Sequence, residues 1–170
     1  MMTIMKKNIW VYIGLGSNMG NKDENIIKSI DIINKNYTLI SKSNLYTSEP
    51  WGFNSDSSFV NAVICIETME NPESLFKFLK KIEQQFGRIK TNSNRYEDRI
   101  IDLDILFYGE EIIENETITI PHKEIPNRRF VLEPMNEIAP SFIHPYLKKT
   151  INTLLSGCKD KAILEQITNF

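Results

Sequence analysis

The chain is poor in cysteine: two in 170 residues, Cys65 and Cys158, far apart and without metal-ligand spacing. That excludes a disulfide framework and a thiolate zinc site, and it points to a reducing, cytoplasmic setting. Cys65 sits in an apolar run and reads as a small buried hydrophobe. Charge of one sign is also lacking. Twenty Lys and Arg against 22 Asp and Glu leave a net charge of −2, so a nucleic-acid duplex is not an expected partner. No apolar run reaches membrane-spanning length, and the segment after Lys6 and Lys7 enters a glycine-bearing turn. It therefore reads as a first strand, not a signal peptide or a membrane span. Hydrophobic residues at 41% and charged residues at 25% are instead the balance of a globular protein, and the length fits one domain over residues 1–170.

What is present is a regular alternation of elements. Asn8 to Leu15 predicts a strand, Gly16 to Asn21 a turn, and Ile26, Ile27, Ile30 and Ile33 an amphipathic helix to Asn36, with Asn21 and Glu24 as its start signal. Tyr37 to Tyr46 predicts a second strand. Residues 47–58, with Pro50 and Gly52, predict a loop, and Phe59 to Thr68 a third strand. Pro72 opens a helix carrying Leu75, Phe78, Leu79, Ile82 and Phe86 on one face, and Gly87 closes it. Arg88 to Asp98 is a charged loop. The strand Arg99 to Gly109 follows, then one near Ile112 to Ile120, a short helix near residues 127–136 and another near 149–155; the tail from Ser156 suggests at most a helix. The order β-α-β-β-α-β over residues 8–108 is the ferredoxin-like pattern of the α+β class: an antiparallel sheet with helices packed on it, here followed by extra C-terminal strand and helix elements.

The chemistry concentrates in Asp102-Leu103-Asp104. Strand side chains alternate, so the two carboxylates share a face, roughly 7 Å apart, while Ile101, Leu103, Ile105 and Phe107 take the other. Like charges on one face of a buried strand need a counter-charge, and a hard divalent cation, or two, supplies it. Around this pair stand segments with two readings each. Gly14-Leu15-Gly16-Ser17-Asn18 is a phosphate-cradling turn or, better, a plain tight turn, since it lacks the third glycine of a dinucleotide fingerprint and the lysine of a P-loop. Arg88, Lys90, Arg95 and Arg99 form a solvated basic loop, or a phosphate clamp if the carboxylates hold metal. His122 is structural or, within six residues of Arg128, functional. Asn61 is a hydrogen-bonded core amide or a reader of a heterocycle edge; Trp51, Phe59 and Phe130 pack in a core or stack on that ring.

In combination, Gly-Leu-Gly-Ser-Asn after a strand, Pro50-Trp51-Gly52, Phe59-Val60-Asn61-Ala62, Glu83 with Gly87-Arg88, Arg99-x-x-Asp102-Leu103-Asp104, Pro121-His122 and Asn127-Arg128-x-Phe130 resemble the 6-hydroxymethyl-7,8-dihydropterin pyrophosphokinases of folate biosynthesis, from about Tyr12 to Pro145. The resemblance implies transfer of the β,γ-pyrophosphoryl group of ATP to the hydroxymethyl group of 6-hydroxymethyl-7,8-dihydropterin, releasing AMP, by a cytoplasmic monomer with no nucleic-acid or membrane partner. It implies two Mg²⁺ ions on Asp102 and Asp104, with Arg88 and Arg99 as catalytic arginines. Ser48, Glu49, Trp51, Phe59, Asn61 and Phe130 become pterin contacts; Glu83, Arg88, Arg99, Ile105, Thr119, His122 and Arg128 become ATP contacts. The alternatives are another Mg²⁺-dependent phosphoryl or nucleotidyl transferase acting on a small heterocycle, and an RNA-binding ferredoxin-like module. The latter calls for a basic sheet face in place of paired aspartates. One segment departs from the resembled pattern Arg-Trp-Gly-Pro-Arg: here it reads Arg95-Tyr96-Glu97-Asp98-Arg99, in a loop about one residue longer.

Overall fold

β1 (Ile9–Ser17) is apolar on both faces and takes a central place in the sheet, as its pattern demands. The computed structural model describes residues 7–52, 54–87 and 98–167. β1 leads through α1 (Lys22–Asn36) to β2 (Thr38–Lys42) and β3 (Leu45–Ser48), then β4 (Phe59–Thr68), α2 (Pro72–Gln85) and β5 (Asp102–Tyr108). The strands pair antiparallel in the order β5-β1-β4-β3, with β2 also on β4, so the ferredoxin-like core is present. Both helices begin where the sequence signals it. Asn21 Oδ1 accepts from the Glu24 amide at 3.3 Å, and Asn71 Oδ1 from the Ser74 amide at 2.8 Å ahead of Pro72. Gly87, at φ +88°, stands just beyond the end of α2.

The sheet's two faces are buried differently. Against one, α1 and α2 pack Ile26, Ile30, Ile33, Leu75, Leu79 and Ile82 onto Val11, Ile13, Leu15, Val60, Ala62, Ile64 and Ile66. Against the other, α3 (Arg129–Ile138) and α4 (Ile151–Ser156) bury Leu132, Met135, Ile151 and Leu154 with Tyr12, Val63, Cys65, Leu106 and Phe107. That second layer covers only one end of its face. Both cysteines are buried within it and carry free thiols.

Three predicted elements are corrected. The strand expected over Tyr37 to Tyr46 is broken at Ser43-Asn44, because the Ser43 hydroxyl enters the ladder and accepts from the Val63 amide at 3.0 Å. The strand expected over Ile112 to Ile120 is a hairpin, β6 (Ile113–Glu114) with β7 (Thr119–Ile120), turned by the Asn115 carboxamide, whose oxygen accepts from the amides of Thr117 and Ile118. The tail, as far as it is described, is no helix. β8 (Glu165–Ile167) pairs with β3 and extends the sheet. On the way to it Asp160 Oδ2 accepts from the Arg129 amide at 3.0 Å, serving the start of α3 that its own preceding residue does not cap. The expected start of the chain, Met1 to Lys6, lies outside the described residues. Among those described, no helix is long and apolar enough to cross a membrane.

α3 is tied to the strand break by one side chain. Glu137 accepts from the Asn44 amide (3.1 Å), from Asn44 Nδ2 (2.8 Å) and from the Tyr46 hydroxyl (2.6 Å). Glu137→Ala leaves these donors without their acceptor, the Tyr46 hydroxyl among them, and lowers the unfolding free energy by about 2 kcal/mol, measurable by urea denaturation.

Candidate active site

The uncovered end of the second face is a trough floored by glycine. In the ladder, Gly14 stands between Asp104 of β5 and Val63 of β4, and Gly16 between Asp102 and Asn61. Cross-strand neighbours share a face, so the two carboxylates and the Asn61 amide project on the same side, separated by positions without side chains. The sequence reading placed Gly14-Leu15-Gly16 at or beyond the end of the strand, in a tight turn; the structure puts them inside β1. Neither glycine has a positive φ, so what matters is the missing Cβ. A Cβ on Gly16 would stand 3.2 Å from Asn61 Oδ1, and one on Gly14 would stand 3.3 Å from a Leu106 methyl.

A bulge shapes the other wall. Ile13 pairs with Ile105 and Tyr12 with Phe107, so Leu106 is an extra residue in β5. The expectation that Phe107 joins Ile101, Leu103 and Ile105 is thereby corrected: the bulge turns Phe107 to the face that carries the aspartates, where it packs under α3 and α4. The Leu106 carbonyl accepts from the His122 amide at 3.2 Å, which brings the segment after β7 over the trough.

The result is a cavity enclosing about 770 Å³ of non-atom space, part of it open to solvent. Arg99, Asp102, Asp104, His122 and Arg128 line one part of it; Ser48, Glu49, Trp51, Phe59, Asn61 and Phe130 line the rest. Most of the residues predicted for the site therefore meet in one space. Three predicted ATP contacts do not line it. The Ile105 side chain packs in the core beneath α1 and α2, Thr119 lies in β7, and Glu83 is buried on α2, where its carboxylate accepts from the Leu103 amide and from Lys80 Nζ, both at 2.8 Å. Glu83 thus holds the outer edge of the aspartate strand. Arg88, Lys90, Arg95, Tyr96 and Glu97 lie outside the described residues.

Within the cavity the amide end is pre-set: Asn61 Nδ2 donates to Ser48 Oγ at 2.8 Å, and both residues are buried. The Arg128 guanidinium stands 4.7 Å from the Trp51 ring centre and 5.7 Å from that of Phe130, the geometry of a cation held over aromatic faces. His122 Nδ1 accepts from the Glu124 amide at 3.2 Å, which leaves Nε2 to carry the proton of the neutral ring. Arg99 Nη1 pairs with Asp102 Oδ2 at 2.8 Å.

The carboxylates are electrostatically uneven. Asp104 is pushed above the usual carboxylate range by burial first and by the Asp102 charge second, against the pull of Lys80, His122 and Arg128. Glu83 is raised too, chiefly by burial, with Lys80 opposing. Among the described residues no group of three or more His, Cys, Asp or Glu could enclose a metal. Asp102 and Asp104 together, however, fit a hard cation that takes one or two carboxylates and completes its shell with water and phosphate oxygens. Asp104, half-buried beside a second carboxylate, is the donor such an ion would relieve.

The residue-by-residue reading missed Gly14 and Gly16 as the floor and Asn18 as a buried polar residue at the strand's end. The signal for the glycines was their spacing of two, which on a strand clears a single face.

A family model described as 7,8-dihydro-6-hydroxymethylpterin-pyrophosphokinase matches residues 12–140. The chain is 41% identical over 139 residues to the 2-amino-4-hydroxy-6-hydroxymethyldihydropteridine pyrophosphokinase of Haemophilus influenzae, covering 81% of this chain and 86% of that one. It is 34% identical over 154 residues to that of Aquifex aeolicus, covering 87% and 95%. It is also 40% identical over 144 residues to the folic acid synthesis protein FOL1 of Dictyostelium discoideum, covering 85% of this chain and 22% of that protein, so it spans about a fifth of that longer relative. Among solved structures, the wild-type HPPK-DHPS of Plasmodium falciparum superposes with a TM-score of 0.71 at 17% identity, over 91% of this chain and 42% of that one, a likeness of fold.

Because Asp104 is raised, the metal-free native state holds its proton more tightly than the unfolded chain does, and stability falls as pH rises from the ordinary carboxylate range through the raised value. Asp104→Asn removes that term. In EDTA it melts higher than the parent at pH 7, and its melting temperature varies less between pH 4 and 7.

Proposed function

As the chain belongs to the 7,8-dihydro-6-hydroxymethylpterin-pyrophosphokinase family, we propose that it transfers the β,γ-pyrophosphoryl group of ATP to the hydroxymethyl oxygen of 6-hydroxymethyl-7,8-dihydropterin in folate biosynthesis. The observation that carries this reading is the one trough in which Asp102 faces Asn61 across Gly16, with Asp104 beside it at Gly14. A flat acceptor seated at the amide end extends one arm over bare backbone to the carboxylates.

The positions of the lining residues support a role for each. Phe59 and Phe130 stack on the two faces of the pterin, and Asn61, oriented by Ser48, reads its edge with an amide that offers both donor and acceptor. Glu49 and Trp51 close the rim of that end, and the Trp51 ring also steadies the Arg128 guanidinium. Arg99, His122 and Arg128 present cationic or N–H groups to the triphosphate, and Arg88 joins them in the family pattern. Asp102 and Asp104 would hold two Mg²⁺ ions, which when bound neutralise phosphate charge and orient nucleophile and leaving group. The hydroxymethyl oxygen attacks the β-phosphorus, the bond from that phosphorus to the α,β-bridging oxygen breaks, and AMP leaves with the bonding pair. The hydroxyl proton passes to solvent or phosphate.

Incubation with ATP, Mg²⁺ and the hydroxymethylpterin yields AMP and the pterin diphosphate; ADP alone, or no product from folded protein, refutes the reading. Asp104→Ala lowers turnover by on the order of 10³-fold, the loss of several kcal/mol of charge stabilisation, while far-ultraviolet circular dichroism stays that of the parent. Gly16→Ala, which crowds the Asn61 amide, raises KM for the pterin by about tenfold, the lower end of an overpacking cost.

A further inference from the structure

Asn18 follows directly on β1, is 2% exposed, and has every polar group engaged. Its Nδ2 donates to Asp98 Oδ1 at 2.6 Å, and its Oδ1 accepts from the Arg99 amide at 2.7 Å. Its backbone N–H donates to the Arg99 carbonyl at 3.1 Å, and its own carbonyl accepts from the Ser57 hydroxyl at 2.6 Å. Three stretches far apart in sequence meet there: the end of β1, the entry to β5, and the loop between β3 and β4. All three supply residues to the cavity wall, and Arg99 is the residue whose guanidinium pairs with Asp102.

One residue of the sequence departure before the aspartates lies in this site. Asp98 stands where the resembled pattern has proline. A proline ring fixes its own φ and narrows the residue before it, so it restrains the approach to the following arginine through covalent geometry. Asp98 has no such restraint. Its carboxylate is instead held by the Asn18 amide in a short charge-assisted hydrogen bond, while the other end of that amide holds the next backbone N–H.

We propose that Asn18 and Asp98 form a clasp that fixes the backbone at Arg99 in place of a proline, which makes Asn18 a positioning residue for the phosphate side of the reaction. The proposal rests on the assignment of Arg99 to the phosphates. The bond has a direction that can be reversed. In N18D one oxygen still accepts from the Arg99 amide, but the other faces the Asp98 carboxylate. Asp98→Asn alone keeps an acceptor in place. The pair N18D/D98N exchanges donor and acceptor and re-forms the clasp.

The test measures the four proteins for ATP-dependent AMP release, for pterin binding by intrinsic fluorescence without ATP, and for hydrogen exchange of the Arg99 amide. We expect N18D to lose at least tenfold in kcat/KM for ATP and to exchange the Arg99 amide at least tenfold faster, with pterin affinity within twofold of the parent. D98N loses no more than about threefold, and N18D/D98N regains the D98N values. A rate and an exchange in N18D equal to the parent's overturn the clasp, as does a loss that D98N fails to repair. Should N18D melt below the assay temperature, Asn18→Ser removes both side-chain bonds without adding a charge and carries the same expectation for Arg99 exchange. If exchange follows the pattern while the parent itself releases no AMP, the pyrophosphoryl-transfer reading falls and the catalytic role of the clasp with it.

Discussion

Two carboxylates projecting from one face of a largely buried strand set the terms for the rest of this protein. Charge cannot be covered by an apolar helix without a large desolvation cost. The second layer, α3 and α4, accordingly packs only over Tyr12, Val63, Cys65, Leu106 and Phe107 and leaves the end of the face that carries Asp102 and Asp104 open. The groups that offset the charge are Arg99, in direct contact with Asp102, His122 and Arg128 at the opening, and Lys80 from α2, the last three acting on Asp104. The cavity is the space that electrostatics forbids the core to fill.

The remaining features serve that space. Gly14 and Gly16 keep its floor bare, and a single extra residue, Leu106, ends the simple alternation of β5 and frees a carbonyl to anchor the His122 segment. Glu83 and Lys80 secure the outer edge of the aspartate strand at Leu103, so an edge strand carrying like charges is held from both sides, by β1 and by α2. Asn18 secures its entry, Ser48 orients Asn61, and Trp51 steadies Arg128. Several groups on the cavity wall are thus held by partners from distant segments, the organisation expected where phosphoryl transfer depends on positioning and charge neutralisation.

Much of this was legible in the chain. α1, β4 and α2 carry strong periodicity, and the helices have explicit end signals, Asn21, Pro72 and Gly87; all three elements form where those signals stand. Most of the residues singled out for the cavity do meet there, because Asp102 and Asp104 on a strand, Asn61 on another and aromatics at strand and helix starts are local patterns with one sensible orientation each. What was not legible depended on competition between segments. Ser43 breaks a strand by entering a ladder whose other member lies 20 residues away, and a short tail becomes β8 only because β3 offers an open edge. Ile105, an ATP contact only by resemblance, points its side chain into the helix-side core, as the alternation read from the sequence requires.

The sequence by itself determined that the chain builds a β-α-β-β-α-β sheet with paired carboxylates on one face, since strand alternation, helix capping and charge are properties of neighbouring residues. Tertiary structure alone decided that Gly14 and Gly16 are a floor instead of a turn, that Phe107 leaves the face its spacing gave it, and that Asn18 grips Asp98 and Arg99. Each of these follows from register between strands, or from the meeting of polar groups 80 and 81 positions apart, and a hydrogen bond across that separation leaves no period in the chain that makes it.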